Sequence, residues 1–311
     1  MPMWHLRGGL TDTCWPDQRH MANACTKDFN GSSKAGLKNK VVVILGATGT
    51  GKTRISVELA NHFNGEIINS DKIQVYKGLD IVSNKVTPEE AGDVPHHLLG
   101  FVDPDEDFTA EDFVRYAMRE VEAIIERGNL PIITGGSNSF LRALLLNDHS
   151  FSVKYEFCLI WIDVSAAFLH RRLLTRVDQM VREGLVDEVK EFFNPNGDYS
   201  RGVRRAIGVP EMDEFYRQEM RLDEESKVEL LEASINRIKE NTYVLALRQL
   251  ENIFDLWKDL GSPMMHRFDV TKVLIENSTK VERAWDTYVL GPSVDVVTGF
   301  LSEKNMVEID G

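Results

Sequence analysis

Gly46, Gly51, Lys52 and Thr53 stand at the spacing G-x-x-x-x-G-K-T inside "ILGATGTGKT", residues 44–53. Glycines permit tight turns that aim successive backbone N–H groups inward at a helix N-terminus, where an anion is stabilised. Ala47, Thr48, Gly49 and Thr50 supply the intervening N–H groups. Lys52 adds a point charge, and the Thr53 hydroxyl is a ligand for Mg²⁺. The pattern is a phosphate cradle, and its chemistry depends on whose phosphates it holds. Hydrolysis of a nucleotide would need a strand-end acid for the metal and a residue that positions water. Asp163, closing "CLIWID", could be that acid; a cap on the following helix, shared with Ser165, is the favoured reading. "LPIITGGS" carries no acid and ends in a second small loop, Gly135, Gly136 and Ser137, where a ligand can approach the backbone.

Ser70-Asp71 closes another apolar stretch, "GEIINS" (65–70). Ligands of a parallel sheet sit beyond the carboxyl ends of its strands, which puts Asp71 beside the phosphate loop. It is a base, a metal ligand or a turn aspartate; the residues alone do not choose. His96 and His97 invite a metal reading, but neighbours in an extended segment point to opposite sides, so a shared metal is disfavoured. The three cysteines, Cys14, Cys25 and Cys158, form no CxxC pair, which argues against structural zinc and against a disulfide framework and favours a reducing compartment.

These groups converge only if one sheet delivers them. "KVVVIL" (40–45), "GEIINS", "LPIIT" (130–134) and "CLIWID" (158–163) read as buried strands alternating with helices at 52–63 and 109–127, the latter capped by Thr109. Continuous apolar strands alternating with helices imply an α/β fold, a P-loop NTPase-like parallel sheet with helices on both faces. From 176 the character turns helical: "RVDQMVREGLVDEVKEFF" (176–193) reads as one element, and 223–260 as a long helix ending at Gly261. Along that helix Leu231, Ile235, Ile238, Leu245, Ile253 and Leu256 share one face, interrupted by Thr242 and Gln249, with Lys239 and Arg248 to either side. Buried polar groups need partners, from another helix or from a ligand. A short strand near 266–270 and a helix near 271–288 follow.

The expected organisation is a flexible segment over 1–39, a tag or transit remnant; a core of 40–175 plus 223–290; a small inserted helical lobe over 176–222; and a loose tail over 291–311. "RHM" at 19–21 is read as a cloning scar, with a trimmed transit segment as its rival. No apolar run is long enough to span a membrane. The net charge of −13 is unfavourable for a polyanionic partner.

"GATGTGKT", "NSDKIQVYKGLDI", "PHHLLGFVDP", "LPIITGGSNSFLRALL", "RVDQMVREGLVDEV", "RRAIGVPE" and "NTYVLALRQ", in this order over residues 41–257, resemble the isopentenyltransferase family. It comprises tRNA dimethylallyltransferases and the adenylate isopentenyltransferases that begin cytokinin biosynthesis. The resemblance implies attack by the N6 amine of adenine on C1 of dimethylallyl diphosphate, with pyrophosphate leaving. It makes Asp71 the general base and Thr48 the contact to the bridging oxygen. Lys52, Arg248 and Thr53 with Mg²⁺ would neutralise the leaving group. Gly46, Ala47, Gly49, Thr50, Gly51, Ser70, Gly136, Ser137, Lys239, Thr242 and Gln249 would line or support the donor site, and Arg176 and Arg205 the nucleotide's phosphates.

Within the family, the pattern looks more like the plant enzymes acting on free nucleotide than like the tRNA enzymes. Only 148–175 separate the second glycine loop's helix from "RVD", where tRNA enzymes carry a long insertion, and Leu247 stands where they commonly have lysine. The expected substrates are ATP, ADP or AMP together with dimethylallyl diphosphate. The protein is expected to act as a monomer, without tRNA or membrane, in plastid or cytoplasm. tRNA prenylation is the alternative, and a nucleotide kinase the more distant one.

Overall fold

The computed structural model describes residues 39–261, 265–276 and 279–302. These residues fall in one compact unit, Leu37–Gly311. The readings of residues 1–38, including the scar and the transit remnant, lie outside the described residues.

Six strands form one sheet: β1 (Asn39–Leu45), β2 (Gly65–Asn69), β3 (His96–His97), β4 (Leu130–Thr134), β5 (Tyr155–Asp163) and β6 (Met265–Asp269). Their order is β3-β2-β4-β1-β5-β6, and every pair is parallel. Helices follow in chain order: α1 (Lys52–Phe63), α2 (Pro88–Ala91), α3 (Ala110–Glu126), α4 (Asn138–Arg142), α5 (His149–Lys154) and α6 (Ala166–Glu183). They continue as α7 (Leu185–Phe192), α8 (Val209–Gln218), α9 (Glu224–Leu260), α10 (Thr271–Ile275), α11 (Val281–Trp285) and α12 (Gly291–Ser302).

Side chains alternate across a strand, and β1 divides its apolar run accordingly. Val41, Val43 and Leu45 join Phe113 and Val121 of α3 in one core; Val42 and Ile44 join Ile55 and Leu59 of α1 in the other. Both faces are covered, as an uninterrupted apolar strand requires. Thr109 caps α3 by accepting from the Asp112 N–H, and Asp112 accepts in return from the Thr109 N–H. α9 is one helix of 37 residues, capped by Asp223 and ended by Gly261 at φ 58°; at 1.5 Å per residue it spans about 55 Å.

Three expectations are corrected. The helix read over 176–193 begins at Ala166 and breaks at Gly184, whose φ of 108° suits glycine and ends α6 before α7 begins. Apolar periodicity runs through the break, so the pattern alone hid it. The tail after Gly291 is not loose up to Ser302: it is helical, with Ser293 and Val297 buried. Asp163 caps no helix. Arg267 of β6 donates to its carboxylate through Nε at 2.7 Å and also through Nη2, while the Ser165 side chain makes no cap hydrogen bond.

Residues 176–222 hold the second half of α6, then α7, a 3₁₀ turn at Gly202–Arg205 and α8. Their buried side chains, among them Val177, Leu185 and Met212, join the α3-side core. Glu188 of α7 accepts from the Ile81 and Val82 N–H groups at 2.9 and 2.8 Å, tying the lobe to the chain after β2.

Candidate active site

Strand register assembles the site. Thr134 of the central β4 pairs with Ile44 of β1 on one side and Asn69 of β2 on the other, so the segments after these three strands emerge side by side. They border a cavity of about 680 Å³. After β1, Gly49 and Gly51 adopt φ 81° and 98°, and α1 starts at Lys52. Gly46 has no room for a side chain: a Cβ would lie 2.5 Å from the Ile162 carbonyl oxygen. Lys52 Nζ donates to the Ala47 carbonyl at 2.8 Å, and the Thr50 hydroxyl donates to the same oxygen at 2.9 Å. Thr48, Gly49, Gly51, Lys52 and Thr53 line the cavity.

Asp71, Gly135 and Gly136 line the same cavity. Asp71 Oδ1 accepts from the Ile73 and Gln74 N–H groups at 2.9 and 3.3 Å. One oxygen therefore makes a turn, as the plainer reading held, and this fixes the carboxylate plane. The other, Oδ2, lies 3.2 Å from where a Gly136 Cβ would stand, and Gln249 Nε2 lies 2.6 Å from the same point. A side chain on Gly135 would strike Ser70 backbone and Oγ atoms at 2.4 and 2.5 Å. Two glycines are therefore needed here for the loop to approach β2 and α9 this closely.

Gln249 resolves the polar interruption on the long helix. It is 7% exposed. Its Oε1 accepts from the Thr48 N–H at 2.8 Å, and its Nε2 donates to the Gly136 carbonyl at 2.9 Å. One side chain thereby joins the phosphate loop to the second glycine loop, with Asp71 beside the joint.

α6 also lines the cavity, as does the segment from Ser83 to Leu99. Arg172, Thr175, Arg176, Gln179 and Glu183 line the cavity at helical spacing. Arg172 Nε donates to the Gly49 carbonyl at 2.7 Å. Burial pulls the Lys52 ammonium down to about 8, against the attraction of Asp71 and helped by Arg176. Burial likewise lowers Arg176 to about 10, with Arg172 adding to it and Asp71 and Glu90 opposing. Crowded, partly desolvated cations at a glycine loop make a site that gains from binding an anion.

Of the other expected residues, Ala47, Thr50, Ser70 and Ser137 are buried, and the Ser137 hydroxyl pairs with Ser139 at 3.1 Å. Thr242 is half-buried on α9 and Arg248 is exposed; neither lines the cavity. Lys239 binds Asp178 of α6 at 2.6 Å. Arg205 donates to the Tyr76 hydroxyl at 3.2 Å and stands outside the cavity lining, so the structure does not bring it to Arg176. His96 and His97 diverge, as their adjacency requires: His96 lines the cavity, whereas His97 sits 2.6 Å from Glu66 and 3.1 Å from Glu120. Among the described residues no three His, Cys, Asp or Glu side chains group to hold a metal. Arg172, Asn69 and Gln74 also line the cavity and were not anticipated. For Arg172 the signal was its position four residues before Arg176, one turn along the same face.

A family model described as IPP transferase matches residues 74–154 and 146–253. Adenylate isopentenyltransferase 5, chloroplastic, from Arabidopsis thaliana is 53% identical over 277 residues, covering 88% of this chain and 84% of its own. Adenylate isopentenyltransferase 7, mitochondrial, from the same plant is 44% identical, with 88% and 84% covered. Among solved structures, a eukaryotic dimethylallyltransferase acting on tRNA superposes with a TM-score of 0.72 at 25% identity, covering 87% of this chain and 81% of that one.

Proposed function

The chain belongs to the IPP transferase family, and on that premise we propose that it transfers a dimethylallyl group from dimethylallyl diphosphate to N6 of a free adenine nucleotide, the entry step of cytokinin biosynthesis. The observation that carries this reading is the Gln249 bridge, which joins the anion cradle to the second glycine loop with the Asp71 carboxylate beside the joint. A carboxylate beside the cradle can accept the proton of an attacking amine, as a transfer between a diphosphate and an amine requires.

In the reaction the N6–C1 bond forms, the C1–O bond breaks and pyrophosphate departs. The exocyclic amine is a poor nucleophile because its lone pair is delocalised into the ring, so positioning dominates. Charge grows on the diphosphate as the bond breaks. Lys52, Arg172 and Arg176 line the same cavity as the loop and would stabilise that charge, the more so for being held in place beforehand. Asp71 takes the N6 proton through Oδ2, its other oxygen held by Ile73 and Gln74. With its N–H occupied by Gln249, Thr48 has its hydroxyl for the bridging oxygen. Arg248 is exposed on α9 and outside the cavity lining, so no contact with the leaving group is assigned to it.

Mg²⁺ suits the donor set in one respect. Thr53 offers a hydroxyl at the cavity, and with no protein cage among the described residues the rest of the shell would come from diphosphate oxygens and water. Bound there, it would neutralise charge on the departing pyrophosphate.

Among the described residues no helix is long and apolar enough to cross a membrane. Relatives are named chloroplastic and mitochondrial, and we assign this protein to the plastid. The superposed enzyme acts on tRNA, so tRNA is the rival acceptor. Incubation with dimethylallyl diphosphate, Mg²⁺ and either AMP, ADP, ATP or an unmodified tRNA separates the readings. Prenylated nucleotide supports ours; prenylated tRNA alone, or phosphoryl transfer without prenylation, overturns it.

A further inference from the structure

The phosphate loop is supported from a part of the chain that the family match does not reach. That match ends at residue 253; Trp285, at the end of α11, packs beneath the loop. Its indole is 5% exposed. The ring edge lies 3.1 Å from where a Gly51 Cβ would stand, and Gly51 holds φ 98° as the last residue before α1. The indole N–H donates to Glu58 Oε2 of α1 at 2.6 Å, and the other oxygen of Glu58 accepts from Arg54 Nε at 2.9 Å. The Arg54 guanidinium lies over the indole, 4.5 Å from the ring centroid, and also pairs with Glu282. Arg54 lines the cavity. The indole thus touches the loop's last glycine, anchors to the helix that follows and holds a cavity cation in place.

We propose that Trp285 is a positioning residue that keeps the phosphate loop in its anion-binding conformation, so that the C-terminal segment completes the diphosphate site. A loop of glycines has many conformations open to it. One rigid ring against Gly51 removes most of them before binding, and such preorganisation appears as affinity. Arg54, clamped between Glu58, Glu282 and the indole, is kept from folding across the cradle. The proposal rests on the reading that the loop holds a diphosphate.

The test measures binding of Mg-pyrophosphate and, separately, of AMP to the full chain by calorimetry, for wild type, Trp285→Phe and Trp285→Ala, with thermal melts as a fold check. Phenylalanine keeps an aromatic ring but lacks both the N–H and the Cη2–Cζ3 edge that faces Gly51, so it reduces the contact without emptying the site. Trp285→Phe is expected to bind pyrophosphate more weakly than wild type and more tightly than Trp285→Ala. Trp285→Ala is expected to lose at least about tenfold, roughly 1.4 kcal/mol, with AMP affinity changed by less than twofold. If alanine abolishes folding, the phenylalanine variant and a leucine variant decide: leucine should bind pyrophosphate more weakly than phenylalanine at equal AMP affinity. Unchanged pyrophosphate affinity in folded Trp285→Ala, or equal loss for both ligands, overturns the proposal and leaves the functional reading intact. A wild-type protein that does not bind pyrophosphate overturns both.

Discussion

Replacing Gln249 by glutamate changes one heavy atom and removes one hydrogen bond. The wild-type amide accepts from Thr48 and donates to Gly136. A carboxylate keeps the first contact and turns an oxygen toward the Gly136 carbonyl, with Asp71 Oδ2 close by on the same side of Gly136. The lost bond is worth about 1 kcal/mol, and an unpaired buried polar group costs about 1–3 more. A total of about 2–4 kcal/mol corresponds to a loss of roughly 30- to 700-fold. Since the bridge joins the two loops of the site, the loss should fall on kcat/KM for the prenyl donor. Gln249→Glu should recover part of it as pH falls, because a protonated carboxyl can again donate to Gly136. Steady-state kinetics between pH 5.5 and 8, with melting curves at each pH, make the measurement. A folded Gln249→Glu enzyme with wild-type kcat/KM would refute the claim that this side chain holds the two loops together.

Further outcomes follow from the same geometry. Asp71→Asn keeps an oxygen for the Ile73 and Gln74 N–H groups and removes the base, so the fold should survive while turnover falls by about 10²–10⁴; near-normal kcat would remove Asp71 from the proton transfer. Lys52, lowered by burial to about 8, should lose its charge in the free enzyme as pH rises through that value. The donor kcat/KM should therefore decline above about pH 8, and a flat profile to pH 10 would contradict this. The same shift acts oppositely on stability: between about 8 and 10.5 the unfolded chain binds more protons, so the Lys52 contribution to stability rises with pH there. Glu66, buried beside Arg127, Asn129 and His97, is held down at about 2, chiefly by the Arg127 hydrogen bond. Its stabilisation is complete above about 4.5 and should be lost as pH falls towards 2; Arg127→Ala should flatten that acid transition, which melting midpoints at pH 2–5 will register.

Elements were legible where a clear apolar pattern was bounded by turn residues: "LPIIT" coincides with strand β4 and "KTRISVELANHF" with helix α1. β3 was not, because two histidines carry no strand pattern and pair only through β2. The break at Gly184 was masked by apolar periodicity continuing on both sides, and α12 by weak polarity contrast along its length. In the site, residues bound to glycine geometry could be read in advance: the phosphate loop, Gly136, and Asp71 at a strand end. Gln249 was visible as a polar residue on an apolar stripe, though its partners, Thr48 and Gly136, lie more than a hundred residues away. Arg205 and Lys239 could not be placed from spacing, since the hydroxyl and carboxylate they face belong to other elements. Trp285 left no signal, because its work depends on contact with a glycine.

The central claim is that dimethylallyl diphosphate is the donor and loses its pyrophosphate, while the adenine nucleotide is the acceptor and keeps its phosphates. Dual isotope labelling tests it directly, with dimethylallyl diphosphate labelled in its β-phosphate, ATP labelled in its γ-phosphate, and Mg²⁺. The account predicts that all released pyrophosphate carries the donor's label and that the prenylated nucleotide keeps its γ-label. Release of the γ-label as orthophosphate or its transfer to another molecule, with the donor's label left on dimethylallyl diphosphate, would contradict it.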